Sequence, residues 1–376
     1  MRILFIINDL SKGGAERYLV DLCNELKKRQ NIEFIIATLY PINEFQNETK
    51  DFKIVNLSYE KFSFRKKYEN IAYKNLIDTF LPDIIHTHLY LAEFLSSLYV
   101  SNKIKYFCHG HDDLIQLQRF KLSSIFNKIK IQNRLEKQVL LRKKYKKVGT
   151  HFIANSVDTF EKLKTNLIGK NKNQLKLIQY GFNFQKFYSD KEIIPKKNNK
   201  VKILNVGSFQ DKKNQIFILE IAKILMIKNI SFEINLIGEG VDFNKIKEAI
   251  KKNSLEKHVF QRGIINNVED WYEEADVYLH TAWYEPFGLV FLEAMASKTP
   301  IITLDGIGNR DLIENKKNGF IFKEQIAKDF ADKIIEISQN SAMIKEISDN
   351  AQNFARQFNV SDKTDALISY YLGENR

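Results

Sequence analysis

The sequence predicts an α/β fold made of two parallel-sheet domains, and three observations carry that reading. Short apolar runs alternate with amphipathic helical stretches over residues 1–190, a polar, lysine-rich interval at 191–200 containing Pro195 interrupts them, and the same rhythm restarts at Val201. Strand and helix in alternation mark βαβ units of a parallel sheet, and a polar interval between two such runs reads as a linker. A chain of 376 residues also exceeds what one core usually supports, since about 150 residues per domain points to two or three domains.

Taken in order, the first half gives RILFIIN, a helix near 14–29, FIIATL, IVNL, DIIHTH, IKYFCHG and HFIAN. The second gives VKILNVG, helices near 214–228 and 243–252 around SFEINLIG, then HVFQRG, ADVYLH, a helix near 288–297, TPIITL and NGFIF. The expected domains are 1–190 and 201–356, with a final helix, 357–376, packing back toward the first. In open α/β sheets ligands sit beyond the carboxyl ends of the strands, so functional residues belong in the loops after each apolar run. Two such domains facing each other would leave a substrate cleft between them.

With 44% hydrophobic and 28% charged residues the composition is that of a globular chain and excludes a disordered one. Cys23 and Cys108 form no paired framework and the N-terminus enters a strand pattern directly, which together imply a reducing, cytoplasmic setting. No apolar stretch approaches the roughly 18 residues that span a bilayer, so membrane association, if present, is peripheral. The net charge of +12 is concentrated in the first half. Residues 119–147 hold eleven basic side chains against one acid, Glu136, interleaved with apolar positions. Such a stretch can lie on anionic lipid at the inner face of a cell membrane, with Lys128, Lys130, Arg134, Arg142, Lys143 and Lys144 as its cations. Nucleic acid is a rival partner without a recognisable binding module, and a solvated helix is the plain alternative.

The most informative segment runs Trp283-Tyr-Glu-Pro-Phe-Gly-Leu-Val-Phe-Leu-Glu293 into the strand IITL. Pro286 favours the first turn of a helix and Gly288 permits close approach to its backbone, so N–H groups there can face an anion. Glu285 is expected before the helix and Glu293 nearly two turns inside it, roughly 10 Å apart, too far for a carboxylate dyad. Two free glutamates on a loop and a helix would be the bland reading.

This segment resembles the glutamate, seven residues, glutamate signature of retaining glycosyltransferases of the GT-B fold, of the group 1 and family 4 type. The resemblance implies two facing Rossmann-like domains, donor-sugar contact by Glu285, and ribose hydroxyls bound by Glu293, with Phe287, Gly288 and Leu289 beside them. Further matches cover nearly the whole chain. Gly207 and Ser208 follow the strand ILNV, and Lys213 stands where the family places a diphosphate-binding lysine, while Ser208 replaces an expected arginine. Gly238 closes the next strand, and Gly306 to Asn309 take the place of a diphosphate-binding loop, without its usual proline and glutamate.

Gly13 and Gly14 follow the first strand and match a donor-side glycine loop; they lack the G-x-G-x-x-G pattern of a dehydrogenase. His86 and His88 alternate onto one strand face, with His109, His111, Asp112 and Asp113 downstream, a set whose donors also suit zinc or iron. The resemblance instead places His109 against the reacting sugar, with His111 and Asp112 on the acceptor side, no metal or other cofactor, and His86 and His88 either functional or ordering the sheet edge. It implies transfer from a nucleotide-diphosphate sugar, UDP-linked, to a glycan or lipid-linked acceptor in surface polysaccharide synthesis. A GT-B sugar-nucleotide epimerase and a non-catalytic membrane-associated assembly protein are the alternatives.

Overall fold

The structure is a computed structural model that describes residues 1–60, 69–111, 139–167, 174–192 and 200–374. It divides into two compact units, Met1–Gly181 with Lys363–Arg376, and Phe182–Asp362. The first holds strands β1 (Arg2–Ile7), β2 (Glu33–Thr38), β3 (Ile54–Asn56), β4 (Ile84–His88), β5 (Lys105–Gly110), β6 (His151–Ala154) and β7 (Leu175–Leu177). Its helices are α1 (Gly14–Leu26), α2 (Ile71–Phe80), α3 (Tyr90–Leu95), α4, described over 139–147, and α5 (Val157–Asn166).

The strands form one parallel sheet in the order β3-β2-β1-β4-β5-β6-β7. The central strands are buried almost throughout, as expected where helices cover both faces of such a sheet. Helix α1 shows why: Leu19, Leu22, Cys23 and Leu26 recur at helical spacing and all are buried. Asn70 starts α2 by accepting the Tyr73 N–H, and Ser156 starts α5 by accepting that of Thr159.

The second unit contains α6 (Phe184–Phe187), β8 (Val201–Val206), α7 (Gln215–Ile227), β9 (Phe232–Ile237), α8 (Phe243–Lys252), β10 (Val259–Gly263), α9 (Val268–Glu274) and β11 (Val277–His280). It continues with α10 (Leu289–Ala296), β12 (Ile301–Leu304), β13 (Phe320–Phe322), α11 (Ala327–Gln339) and α12 (Ser341–Arg356). Its parallel sheet runs β10-β9-β8-β11-β12-β13. The order reverses at β1/β4 in one unit and at β8/β11 in the other, and at such a switch point the strand ends leave a crevice for a ligand. Helix α13 (Val360–Leu372) ends the described chain. No described helix is long and apolar enough to cross a membrane.

The unit boundaries differ from the expected 190 and 356. Residues 182–191 join the second unit because its groups engage their backbone: Ser297 donates to the Phe187 carbonyl (2.8 Å) and Gln352 to that of Ser189 (2.7 Å). Residues 193–199 of the expected linker lie outside the described residues. From Lys363 onward α13 belongs with the first unit, where the Tyr371 hydroxyl meets His86 Nδ1 at 2.5 Å and Asp365 pairs with Arg29 at 2.8 Å.

One expected surface cation is an interior one. Lys144 is fully buried, its ammonium 2.8 Å from Glu93 and 2.7 Å from the Ser96 hydroxyl, with the Tyr106 ring 4.8 Å away. Thr87 donates to the other Glu93 oxygen at 2.7 Å, so the acid is satisfied on both sides. Lys144 therefore cannot reach lipid: its charge neutralises a carboxylate that the fold has removed from water. Arg142 and Lys143 are exposed, while Lys128, Lys130 and Arg134 lie outside the described residues.

Removing one partner of a buried ion pair strands the other charge. Lys144→Met is accordingly expected to destabilise the first unit by about 3–5 kcal/mol, against a change within about 0.5 kcal/mol for Lys143→Ala, both read from urea unfolding midpoints.

Candidate functional site

In the second unit, the residues singled out by the sequence gather at the β8/β11 switch point. Lys213 lies in the 3-10 turn Asp211–Lys213 after β8, and Glu285 in the loop after β11. Thr281 ties the two together, donating to the Lys213 and Asn214 carbonyls at 3.2 and 3.0 Å, while the Trp283 N–H donates to the Lys212 carbonyl. The Lys213 ammonium then sits 2.5 Å from Glu285 Oε2. His280 Nε2 approaches the same oxygen at 3.1 Å.

Burial alone would raise the Glu285 carboxyl pKa, but the Lys213 charge and the His280 contact outweigh it and hold the group well below the usual carboxylate range. Burial pushes His280 down, against the pull of Glu285. The site thus keeps an ionised carboxylate beside a neutral imidazole. Lys213 has three donors, so it can hold Glu285 and still offer hydrogen to an incoming phosphate oxygen.

The backbone around Glu285 is built differently from expectation. Helix α10 begins at Leu289, so Pro286 precedes it instead of opening its first turn, and Glu293 lies only a little over one turn inside. Gly288 caps the helix at φ +93°, where a Cβ would meet the Phe291 ring at 2.4 Å and Glu285 Cγ at 3.1 Å. Phe287 and Leu289 turn their side chains into the interior, leaving only backbone to a ligand. Glu293 is buried and accepts a 2.8 Å hydrogen bond from the Tyr272 hydroxyl.

Gly207 has open space beside it, its nearest neighbour being Lys213 Cδ at 4.0 Å, and Ser208 uses its carbonyl to hold Gln215. Gly238 is required by the fold itself: at φ +131° its Cβ would strike the Gly207 carbonyl oxygen at 2.2 Å. The amides of Gly306, Ile307 and Gly308 are not free. Gly306, Ile307 and Gly308 N–H groups go to Asn309 Oδ1, Asp305 Oδ1 and the Gly306 carbonyl. Asn309 in turn binds Thr303 and the Leu304 carbonyl, so this loop is a brace for the Glu285 segment, which it meets through the Glu285 N–H at 2.9 Å.

In the first unit four histidines pack as a buried stack at the β1/β4 switch point. His88 and His109 are register partners on β4 and β5, interior strands of the sheet and not its edge. The rings of His86 and His109 are 6° from parallel and those of His109 and His111 15°. His88 Nδ1 lies 2.9 Å from His111 Nε2, and His111 Nδ1 binds the Tyr180 hydroxyl. Tyr18, stacked on Tyr180, covers His109, both of whose nitrogens lack a partner among the described residues.

Nitrogen atoms of His86, His88 and His109 fall within 4.8 Å of one another. These three imidazoles could hold a metal ion, although His86 Nδ1 is already engaged by the Tyr371 hydroxyl. Burial, and then the neighbouring imidazoles, drive the His88 and His109 pKa values well down, and burial takes His86 and His111 to about 3.

Gly13 and Gly14 open α1. Gly14 is unobstructed, but a Cβ on Gly13 would lie 2.3 Å from Glu16 Oε2, because that carboxyl folds over the helix start. Burial raises the Glu16 pKa to about 7, opposed by its own N–H and helped by Asp9. Asp112 and Asp113 lie outside the described residues. Sequence reasoning missed His280, Glu16 and the Lys144–Glu93 pair; only His280 left a signal, as a polar residue ending a strand at the ligand side of the sheet.

Two parallel-sheet units, each with a strand-order switch point, define a two-domain α/β protein with Rossmann-like units. Comparison then narrows it. Residues 12–183 match Glycosyltransferase Family 4, and residues 187–354 match Glycosyl transferases group 1. The chain is a glycosyltransferase of the GT-B fold. Among its relatives, a poly(ribitol-phosphate) alpha-N-acetylglucosaminyltransferase of Staphylococcus aureus is 29% identical over 158 residues, 41% of this chain and 31% of that enzyme. The chain thus spans under a third of that protein's length. The Staphylococcus aureus capsular polysaccharide biosynthesis glycosyltransferase CapH is 25% identical over all of this chain and 99% of its own. The fold matches that of Anabaena HepE, solved with UDP and glucose, at a TM-score of 0.79 and 19% identity, covering 99% and 100% of the two chains.

The histidine stack makes the first unit acid-sensitive. A histidine with a depressed folded pKa binds its proton more readily when unfolded, so stability is full above the unfolded value near 6.5 and falls as pH drops toward 3. Glu16, with its raised value, contributes the opposite slope between about 4.5 and 7. Three net protons near pH 5 correspond to about 4 kcal/mol per pH unit. Denaturation midpoints measured from pH 7.5 to 5 are expected to fall steeply, and less steeply in a His109→Phe variant.

Proposed function

We propose that this chain transfers a sugar, with retention of anomeric configuration and without a metal, from a UDP-linked donor to a glycan or lipid-linked acceptor in bacterial surface polysaccharide synthesis. The observation that carries the reading is the Glu285 carboxylate, kept ionised by Lys213 beside the open space at Gly207. Glu285 would accept hydrogen bonds from donor-sugar hydroxyls, and Glu293 from the ribose. Lys213 would neutralise charge developing on the departing diphosphate, a fixed cation in a partly dehydrated site being worth far more than one in water.

Several lines support the wider assignment. The relatives named above act on poly(ribitol-phosphate) and in capsular polysaccharide biosynthesis, and HepE binds UDP and glucose. In the first unit, Gly13 and Gly14 would approach the donor, and His109 and His111 would order the reacting side beneath Tyr18. Asp112 is expected on the acceptor side. The exposed cations Arg142 and Lys143 continue the basic segment, for which an anionic membrane surface remains the proposed partner.

A screen of UDP-glucose, UDP-N-acetylglucosamine, GDP-mannose and ADP-glucose by thermal unfolding checks the donor. A UDP-sugar at 100 times its Kd is expected to add about 2.7 kcal/mol, and stabilisation only by a GDP- or ADP-sugar would reject the UDP assignment. Glu285→Gln is expected to lower the rate of transfer by about 10²–10³ while leaving UDP binding intact. EDTA is expected to leave wild-type transfer unchanged; strong inhibition would reject the metal-free mechanism.

A further inference from the structure

Among the described residues the Glu285 carboxylate has Lys213 and His280 as titratable neighbours, and of these Lys213 belongs to the glutamate and lysine pattern. The other is His280, at the end of β11, fully buried, whose Nε2 lies 3.1 Å from Glu285 Oε2 and makes no aligned hydrogen bond among the described residues. Its far nitrogen, Nδ1, lies 3.1 Å from the Tyr278 hydroxyl, itself 3.2 Å from the Val206 carbonyl at the end of β8. The ring is clamped by the edge of Phe291, 4.8 Å away at 69°, and Phe291 reaches that place because Gly288 has no side chain.

We propose that His280 is a positioning residue that donates its Nε2 hydrogen to Glu285 and so fixes the carboxylate against the donor sugar. The inference rests on the donor-binding reading of Glu285. The alternative tautomer would point a lone pair at a carboxylate, a repulsive contact, whereas hydrogen on Nε2 leaves Nδ1 to accept the single Tyr278 hydroxyl hydrogen, shared with or drawn from the Val206 carbonyl. Lys213 is a rotatable point charge on a flexible stem and cannot set the angle of a carboxylate. An imidazole locked between Phe291 and Tyr278 can.

Asparagine at 280 cannot bring its amide to the Nε2 position, whereas glutamine can. With UDP-glucose and UDP-N-acetylglucosamine as probes, His280→Asn is expected to cut kcat by about 10- to 100-fold, the loss of one hydrogen bond to a charged group, with little change in donor KM. His280→Gln should recover most of that loss. Equal kcat for the two variants, or a fall confined to KM, overturns the proposal.

A second measurement needs no donor. His280→Asn should lower the urea midpoint more in the wild-type chain than in a Glu285→Ala chain, since the bond it breaks is already absent there. Equal drops in both backgrounds overturn the proposal. If Glu285→Gln leaves turnover intact, the donor-binding reading fails instead, and the unfolding cycle still reports on the bond between His280 and Glu285.

Discussion

The second unit is organised around one costly object, an ionised carboxylate taken out of water. Glu285 is 6% exposed, and burial of an acid favours its neutral form unless a partner compensates. Lys213 supplies the charge and His280 the direction, and the surrounding architecture exists to deliver both. Thr281 ties the Lys213 turn to the loop that carries Glu285, Asn309 braces that loop from below, and Gly288 clears room for the ring that holds His280. If this cluster binds the donor as proposed, its groups are already arranged, so little reorganisation would be left for the moment of reaction.

The first unit solves the opposite problem. Where the second keeps a charge, the first suppresses several, packing four imidazoles face to face under Tyr18 and Tyr180 with their protons removed by burial. Stacking gives these rings contact area and a fixed orientation, at the cost of nitrogens left without partners among the described residues. The same strand-order reversal underlies both arrangements. It brings the first and fourth strands of each sheet side by side and opens their ends.

The alternation of apolar runs carried the architecture, because a strand covered on both faces cannot be polar and a helix on such a sheet must repeat its apolar residues at helical spacing. Glu285 and Glu293 could be placed on a loop and a helix because one strand, loop and helix carry both, whereas the meeting of Lys213 with Glu285 depends on β8 and β11 lying side by side. Boundaries were less so: Phe187 and Ser189 read as the end of the first domain, yet their carbonyls are held by Ser297 and Gln352, more than a hundred residues away in sequence. The start of α10 was misplaced for a local reason, since Pro286 suits a first helical turn and the bridge between Glu285 and Ile307 delays it. His280 gave only a faint signal, its partner lying in a different loop, and the Lys144–Glu93 pair gave none.

That pair bears on how the basic stretch should be interrogated. Seen as text, the lysines from 128 to 147 look interchangeable, and a wholesale charge-removal variant would be the natural way to ask whether they touch lipid. One of them is a structural counter-ion. A variant that sweeps it away with the others would release vesicles because the unit had come apart, and the loss would be mistaken for a missing electrostatic anchor; the informative variant spares Lys144 and alters its exposed neighbours alone.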